Sequence, residues 1–341
     1  MSQRNHNAEI PWIRSSRRKE ALISFRPVSE KMEPPYVGCY RNGMDRRAFL
    51  KVALAGTGVV VMGGANETLV AGHAPSGLID VNVNLSRWPL RRLRGDDTGA
   101  LVAMLRRQGV RQAWAGSFDG LLHKDIAGVN ARLDEECYGP GRGLLVPFGS
   151  INPKLPDWEE DFRRCVEIHR MPGIRLHPNY HGYPLDDPGF VRLLRLAAER
   201  RIIVQLALVM EDERMMHPLL RVEPVDTAPL AALVKQTPDL RLVLLNALRT
   251  LRAQPLLDLT AAGEVYVEIS MLEGVGGVAN LLTQVPAQCV LFGSHAPLFY
   301  FESAQLKLKE SPLTEEQLNL IRRGNALRLL ASRGSSPGSK G

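Results

Sequence analysis

From about residue 77 the chain repeats one pattern: a short apolar run, a polar loop, then a stretch with apolar residues three and four apart. Eight runs read as strands: Leu78–Leu85, Gln112–Ser117, Leu144–Ile151, Ile174–His177, Ile202–Leu208, Leu242–Asn246, Val265–Ser270 and Cys289–Gly293. Short runs that stay apolar on both parities suit parallel strands buried on both faces. Helices are predicted between them. Thr98–Gln108 places Leu101, Val102 and Leu105 on one side, and Asp187–Arg200 does the same with Phe190, Leu193, Leu194 and Ala197. Asp226–Gln236 and Gly276–Val285 keep that period, and Thr314–Leu330 opens on Thr314-Glu315-Glu316-Gln317, the pattern of a capping box. Eight such units over roughly 260 residues predict a single (β/α)8 TIM-type barrel, here residues 75–331. The alternative, an open doubly wound sheet, would carry a glycine-rich phosphate turn after an early strand. The turn after Leu85 is Ser86-Arg87-Trp88-Pro89, and Gly274-Val275-Gly276-Gly277 lacks the required spacing.

Upstream the periodicity is absent. Residues 1–43 are polar, with Pro34-Pro35 and scattered Arg, and are expected to be a disordered tail or an over-extended start before Met44. Residues 332–341 read as a second disordered tail. Residues 44–74 begin Met44-Asp45-Arg46-Arg47-Ala48-Phe49-Leu50-Lys51 and continue into a glycine-rich apolar run from Val52 to Ala65. That run falls short of the roughly 20 apolar residues a spanning helix needs. The order of paired Arg, Phe-Leu-Lys and a weakly apolar stretch resembles a twin-arginine export signal. It predicts a protein exported across the inner membrane by that machinery, periplasmic or otherwise extracytoplasmic, cut after Ala65 or Ala74 or left signal-anchored.

A formal net charge of +7 invites a nucleic-acid reading until the charge is located. Residues 1–74 hold 11 Lys/Arg against 6 Asp/Glu, and the rest of the chain 32 against 30. The basicity sits in the tail, so no nucleic-acid partner is expected. Cys39 lies in the tail, and Cys137, Cys165 and Cys289 show no Cys-x-x-Cys spacing. They read as small buried hydrophobes. No Gly-x-Ser-x-Gly elbow occurs.

In a barrel the chemistry belongs at the C-terminal strand ends. In the first strand Ile79, Val81, Val83 and Leu85 share one parity and should face the helices, which directs Asn82 and Asn84 inward. The fourth run ends in His177-Pro178-Asn179-Tyr180-His181, the fifth carries Gln205, the sixth ends at Asn246, the seventh offers Glu268 and Ser270, and the eighth leads to His295. His177 is the candidate acid/base of that set. Glu211-Asp212-Glu213-Arg214 and Asp119 read more simply as a solvated acidic loop and a turn. Phe299-Tyr300-Phe301 is either an aromatic lid or helix packing.

These residues resemble the amidohydrolase-related family of metal-dependent hydrolases. The resemblance rests on Ile79-Asp80-Val81-Asn82-Val83-Asn84, Gly173-Ile174-Arg175-Leu176-His177-Pro178, Leu291-Phe292-Gly293-Ser294-His295-Ala296-Pro297 and Gly324-Asn325-Ala326-Leu327-Arg328-Leu329-Leu330. It implies a metal held by a His-x-His pair on strand 1, a His on each of strands 5 and 6, and an Asp on strand 8. Here those positions carry Asn82 and Asn84, Gln205, Asn246 and His295. Neutral amides do not replace imidazole and carboxylate around zinc, so no family-type zinc is expected and no other cofactor is indicated. Four of the five replacements still hydrogen-bond and the fifth is a His, so they either line a pocket for a polar ligand such as a sugar, carboxamide or carboxylate, or knit the barrel interior into a satisfied polar network. Two expectations follow: a hydrolase of a small polar substrate with altered or absent metal dependence, or an inactive barrel that binds a polar small molecule or a partner protein.

Overall fold

The computed structural model describes residues 77–331. The strands are β1 (Leu78–Leu85), β2 (Val110–Ser117), β3 (Leu145–Ser150), β4 (Gly173–Leu176), β5 (Ile203–Ala207), β6 (Arg241–Leu245), β7 (Glu264–Glu268) and β8 (Val290–Leu291). The helices among them are α1 (Thr98–Arg107), α2 (Ile126–Tyr138), α3 (Trp158–Arg163), α4 (Pro178–His181), α5 (Pro188–Glu199), α6 (Leu230–Gln236), α7 (Gln254–Ala262), α8 (Gly277–Leu282), α9 (Phe301–Lys309), α10 (Glu315–Asn319) and α11 (Asn325–Ala331). Neighbouring strands pair in chain order, all parallel. The ring closes through the segment that follows β8. Val81 N–H donates to Phe292 O (3.0 Å), His295 N–H to Asn82 O (2.8 Å) and Asn84 N–H to Ala296 O (2.9 Å). This closure makes the fold a (β/α)8 barrel and excludes the open sheet. The expected tails and the signal segment lie outside the described residues.

Helix starts follow side-chain capping. Asp97 accepts from Ala100 N–H, and Asp187 from Gly189 and Phe190 N–H. Thr314 and Gln317 form the reciprocal capping box, at 3.2 and 2.9 Å. The helix beyond it is not continuous. A wider turn over Leu320–Gly324 separates α10 from α11. Helix α2 escapes the periodicity because polar Asn130 interrupts its buried face. Asn130 is buried and brackets Ser150, accepting from its N–H (2.7 Å) and donating to its carbonyl (2.9 Å).

Two apolar layers hold the barrel. The larger lies between sheet and helices. The smaller contains residues from every strand but one, among them Trp114, Phe148, Ile203, Val243, Tyr266 and Leu291. The exception is β4, whose corresponding positions are Gly173 and Arg175. Trp114 and Phe148 stack there with centroids 4.8 Å apart. Cys137 and Cys165 are buried and free, and burial pushes their thiols up.

Candidate functional site

Strand β1 corrects the expected parity. Val83 and Leu85 pack toward the helices, but Ile79 and Val81 belong to the inner layer. The cause is a register irregularity between Asp80 and Val83. It breaks the two-residue alternation. Asn82 and Asn84 still meet partners across the barrel.

Those partners centre on Arg175 of β4, a residue the sequence reading passed over. Its guanidinium has five N–H donors and five acceptors. Nε donates to Gln205 Oε1 (2.8 Å), Nη1 to Val83 O (2.9 Å) and Asn84 Oδ1 (2.8 Å), and Nη2 to Trp114 O (3.1 Å) and Val81 O (3.5 Å). Gln205 in turn donates Nε2 to Val81 O (2.7 Å). Gly116 on β2 makes the room, since a Cβ there would lie 2.7 Å from Arg175 Cδ. Burial pulls the Arg175 pKa down to about 9, while Asp80 and Glu268 hold it up. The group is a cation at neutral pH.

A second branch centres on Glu268 of β7. Its Oε1 accepts from Asn246 N–H (2.6 Å), Ser270 Oγ (2.7 Å) and Asn82 Nδ2 (3.3 Å), and its Oε2 from Ser270 N–H (2.6 Å). Asn82 Nδ2 also donates to Asn246 Oδ1 (2.8 Å), and Asn246 Nδ2 to Val209 O (2.7 Å). A Cβ at Gly293 would come within 2.4 Å of Glu268 Oε2. Asp80 accepts from Asn82 N–H, Ser294 N–H and Ser294 Oγ at 3.0, 3.0 and 2.5 Å. Its pKa is raised to about 7, chiefly by complete burial, with the charge of Glu268 adding and the hydrogen bonds opposing.

His295 joins the first branch and is left in one tautomer. Asn84 Nδ2 points at its Nδ1 (3.3 Å), which must accept, and its Nε2 donates to Met210 O (2.8 Å). Burial lowers its pKa to about 4, and Arg175 adds to the effect. His295 and Asn246 both hold positive φ, at 59° and 56°, a backbone state that His and Asn enter more readily than most residues. Asn82, Asn84, Gln205, Asn246 and His295 therefore lie at one end of the barrel, each at most 2% exposed and bonded to its neighbours.

His177 stands apart. It follows β4 directly and caps α4, is 1% exposed, and has no hydrogen-bond partner on either ring nitrogen among the described residues. Burial holds its pKa well below the usual imidazole range, reinforced by His181, Arg175 and His295. A neutral ring with one free N–H and one free lone pair results. Among the other candidates, Glu211 is ion-paired with Arg91, Asp119 with Arg132 (3.3 Å), and Asp212 with Arg214 and Arg249. The aromatic run divides. Phe301 begins α9 and packs on Phe292, Phe299 meets the His295 ring edge-on, and Tyr300 is exposed. No group of three or more His, Cys, Asp or Glu side chains among the described residues is placed to hold a metal ion.

A closed parallel barrel with a polar cluster at its C-terminal strand ends defines a TIM-barrel protein. A sequence model described as amidohydrolase matches residues 79–331, and the chain belongs to that family. No curated protein sequence matches the chain. Among solved structures, it resembles 5-carboxyvanillate decarboxylase from Sphingomonas paucimobilis, with a TM-score of 0.60 and 12% identity over 75% of this chain and 99% of that one. It resembles 2,6-dihydroxybenzoate decarboxylase from Rhizobium at a TM-score of 0.57 and 16% identity, over 76% and 100%. A dihydroxybenzoic acid decarboxylase from Polaromonas with bound manganese and 2-nitroresorcinol follows at 0.56 and 13%, over 76% and 98%. At these identities the likeness concerns the fold alone.

Proposed function

We propose that this amidohydrolase-family barrel binds a small polar molecule at its C-terminal mouth without the family's metal centre, and that it does so after export. The observation that carries the reading is the bonding of Arg175, whose five donors are all engaged, two of them by Asn84 and Gln205. A divalent cation at the expected ligand positions would face that guanidinium at close range, and like charges at low dielectric repel strongly. His295 has no free lone pair to offer, and the remaining donors are amides. The residues present do not fit a zinc ion.

His177 supports a second reading, a hydrolase or decarboxylase that works without a metal. A neutral, unpartnered imidazole at a strand end is a competent proton acceptor or donor for a substrate placed against it. In both readings export rests on Arg46-Arg47-Ala48-Phe49-Leu50-Lys51.

The test is metal analysis of protein purified without chelator, joined to calorimetric titration with small carboxylates, carboxamides and sugars. We expect less than one equivalent of tightly bound metal and saturable binding of at least one polar compound. Stoichiometric zinc or manganese with chelator-sensitive turnover would overturn the reading. The double substitution Arg46→Lys and Arg47→Lys should retain the protein in the cytoplasm, and unchanged export would point to another route.

A further inference from the structure

We propose that the ends of β3 and β4 form a site for a small carboxylate anion, held by His177 and Ser150 and taken up together with a proton. This rests on the reading that the barrel binds a small polar molecule, and it names the place and the chemistry.

Three buried polar groups at these strand ends lack partners among the described residues. They are both nitrogens of His177, the hydroxyl of Ser150, and Nδ1 of His181. Ser150 is 0% exposed. Leaving one such group unbonded costs about 1–3 kcal/mol, so several together mark a place where a ligand contributes the missing bonds. The three are linked in series through His181 and Gly120. The His177 and His181 rings meet edge to face at 6.1 Å. His181 Nε2 donates to Gly120 O (2.8 Å), which leaves its Nδ1 as an acceptor. Gly120 in turn backs onto Ser150, because a Cβ at 120 would fall 2.0 Å from Ser150 Oγ.

The charges around His177 select the sign of the ligand. Arg175, on its own strand, is the cation that acts on it, against a further positive charge, while His181 and His295 are neutral rings. The carboxylates on the adjoining mouth loops are compensated, Asp119 by Arg132 and Glu211 by Arg91. Asp80 and Glu268 are engaged by Ser294, Ser270, Asn82 and Asn246. A cation beside His177 faces the Arg175 guanidinium, whereas an anion faces that same charge and two neutral donors, an N–H of His177 and the hydroxyl of Ser150. An anion beside His177 supplies the counter-charge the ring lacks, so the ring takes a proton from solvent and donates from both nitrogens. No bond of the ligand is made or broken. The near-complete burial of His177 restricts the ligand to a few heavy atoms, and formate and acetate are the probes.

The full chain is titrated calorimetrically with sodium formate and sodium acetate, in buffers of different ionisation heat, at several pH values between about 5 and 8. The ring nitrogens of His177 are followed in parallel by nitrogen-15 NMR of the unmodified protein. Expected are saturable binding, net proton uptake, an affinity falling by up to about tenfold per pH unit, and an imidazolium signature for His177 only when the anion is bound. His177→Gln should abolish the uptake and weaken binding at least about tenfold, and Ser150→Ala should weaken it about five- to tenfold, with circular dichroism showing both variants folded. Binding unchanged in both variants would overturn this site and leave the broader reading standing. No binding of either anion, with a neutral carboxamide or sugar still bound, would overturn it as well. Stoichiometric metal would instead remove the reading on which it rests.

Discussion

The mouth of this barrel holds two polar clusters in opposite states. Around Arg175 and Glu268, on β4, β1, β5, β6 and β7, charges and amides meet partners, and both charged side chains sit in space cleared by a glycine. Around His177 and Ser150, at the ends of β4 and β3, equally buried groups meet none among the described residues. The two share a strand, since Arg175 and His177 are two residues apart. Burial alone therefore does not tell a structural polar group from a recognition group, because both clusters are dry. What separates them is whether the protein supplies the hydrogen-bond partners. The first cluster has become part of the core, and the second is left for something else to complete.

The sharpest way to break this contrast is to remove Arg175. Arg175→Ala strands Gln205, Asn84 and the carbonyls of Val81, Val83 and Trp114, and leaves Asp80 and Glu268 without their cation. A loss of about 3–5 kcal/mol is expected in chemical denaturation, enough to unfold a marginal barrel. A loss below about 1 kcal/mol would show that the network is not structural.

Next in size is the pH dependence carried by Asp80. Its folded pKa of about 7 lies above the unfolded 3.8, so the folded chain binds that proton more tightly. The stability it contributes is complete below about pH 4 and is lost as pH rises through about 7, up to about 4 kcal/mol. His295 acts the other way. Its folded pKa of about 4 lies below 6.5, so stability is lost as pH falls through that interval. The two trends oppose each other in the intact protein. Asp80→Asn removes only the first, and its denaturation midpoints should rise steadily from about pH 4 to about pH 6.5. A flat profile in that variant would contradict the assignment.

A smaller effect is expected from Gly293→Ala. The new Cβ displaces Glu268 from its bonds and should cost about 1–3 kcal/mol by thermal unfolding. The smallest belongs to the other cluster. His177→Leu removes no internal hydrogen bond and takes an unpartnered polar ring out of the interior. It should change stability by no more than about 1 kcal/mol while abolishing anion binding. A large destabilisation there would erase the difference between the clusters.

Much of the fold was legible because a repeated strand–helix pattern has few ways to close. The first strand was placed at Leu78–Leu85 from its apolar run, and Asp187 and Thr314 were readable as helix starts. Sequence reading also picked the five positions that meet at the barrel end. It missed Arg175, although the signal was there. Between Gly173 and His177 the polar parity runs against Ile174 and Leu176, which places an arginine among the inward positions of a barrel. Asp80 and Ser294 were hidden for another reason. Their bond spans most of the chain, and nothing local announces a carboxylate that will lie beside its partner only after the ring closes.

By itself, the sequence determined the (β/α)8 class, the order of its elements and the residue types available at each strand end, because burial and periodicity act locally and the chain spells them out. Tertiary structure decided which of those polar groups are complete. The irregularity in β1 breaks its alternation, closure of the ring brings the segment after β8 against β1, and Gly116 and Gly293 leave space for one cation and one carboxylate. Whether a buried donor is satisfied depends on distances between strands far apart in sequence. No pattern along the chain could therefore separate His177 from the five residues beside it.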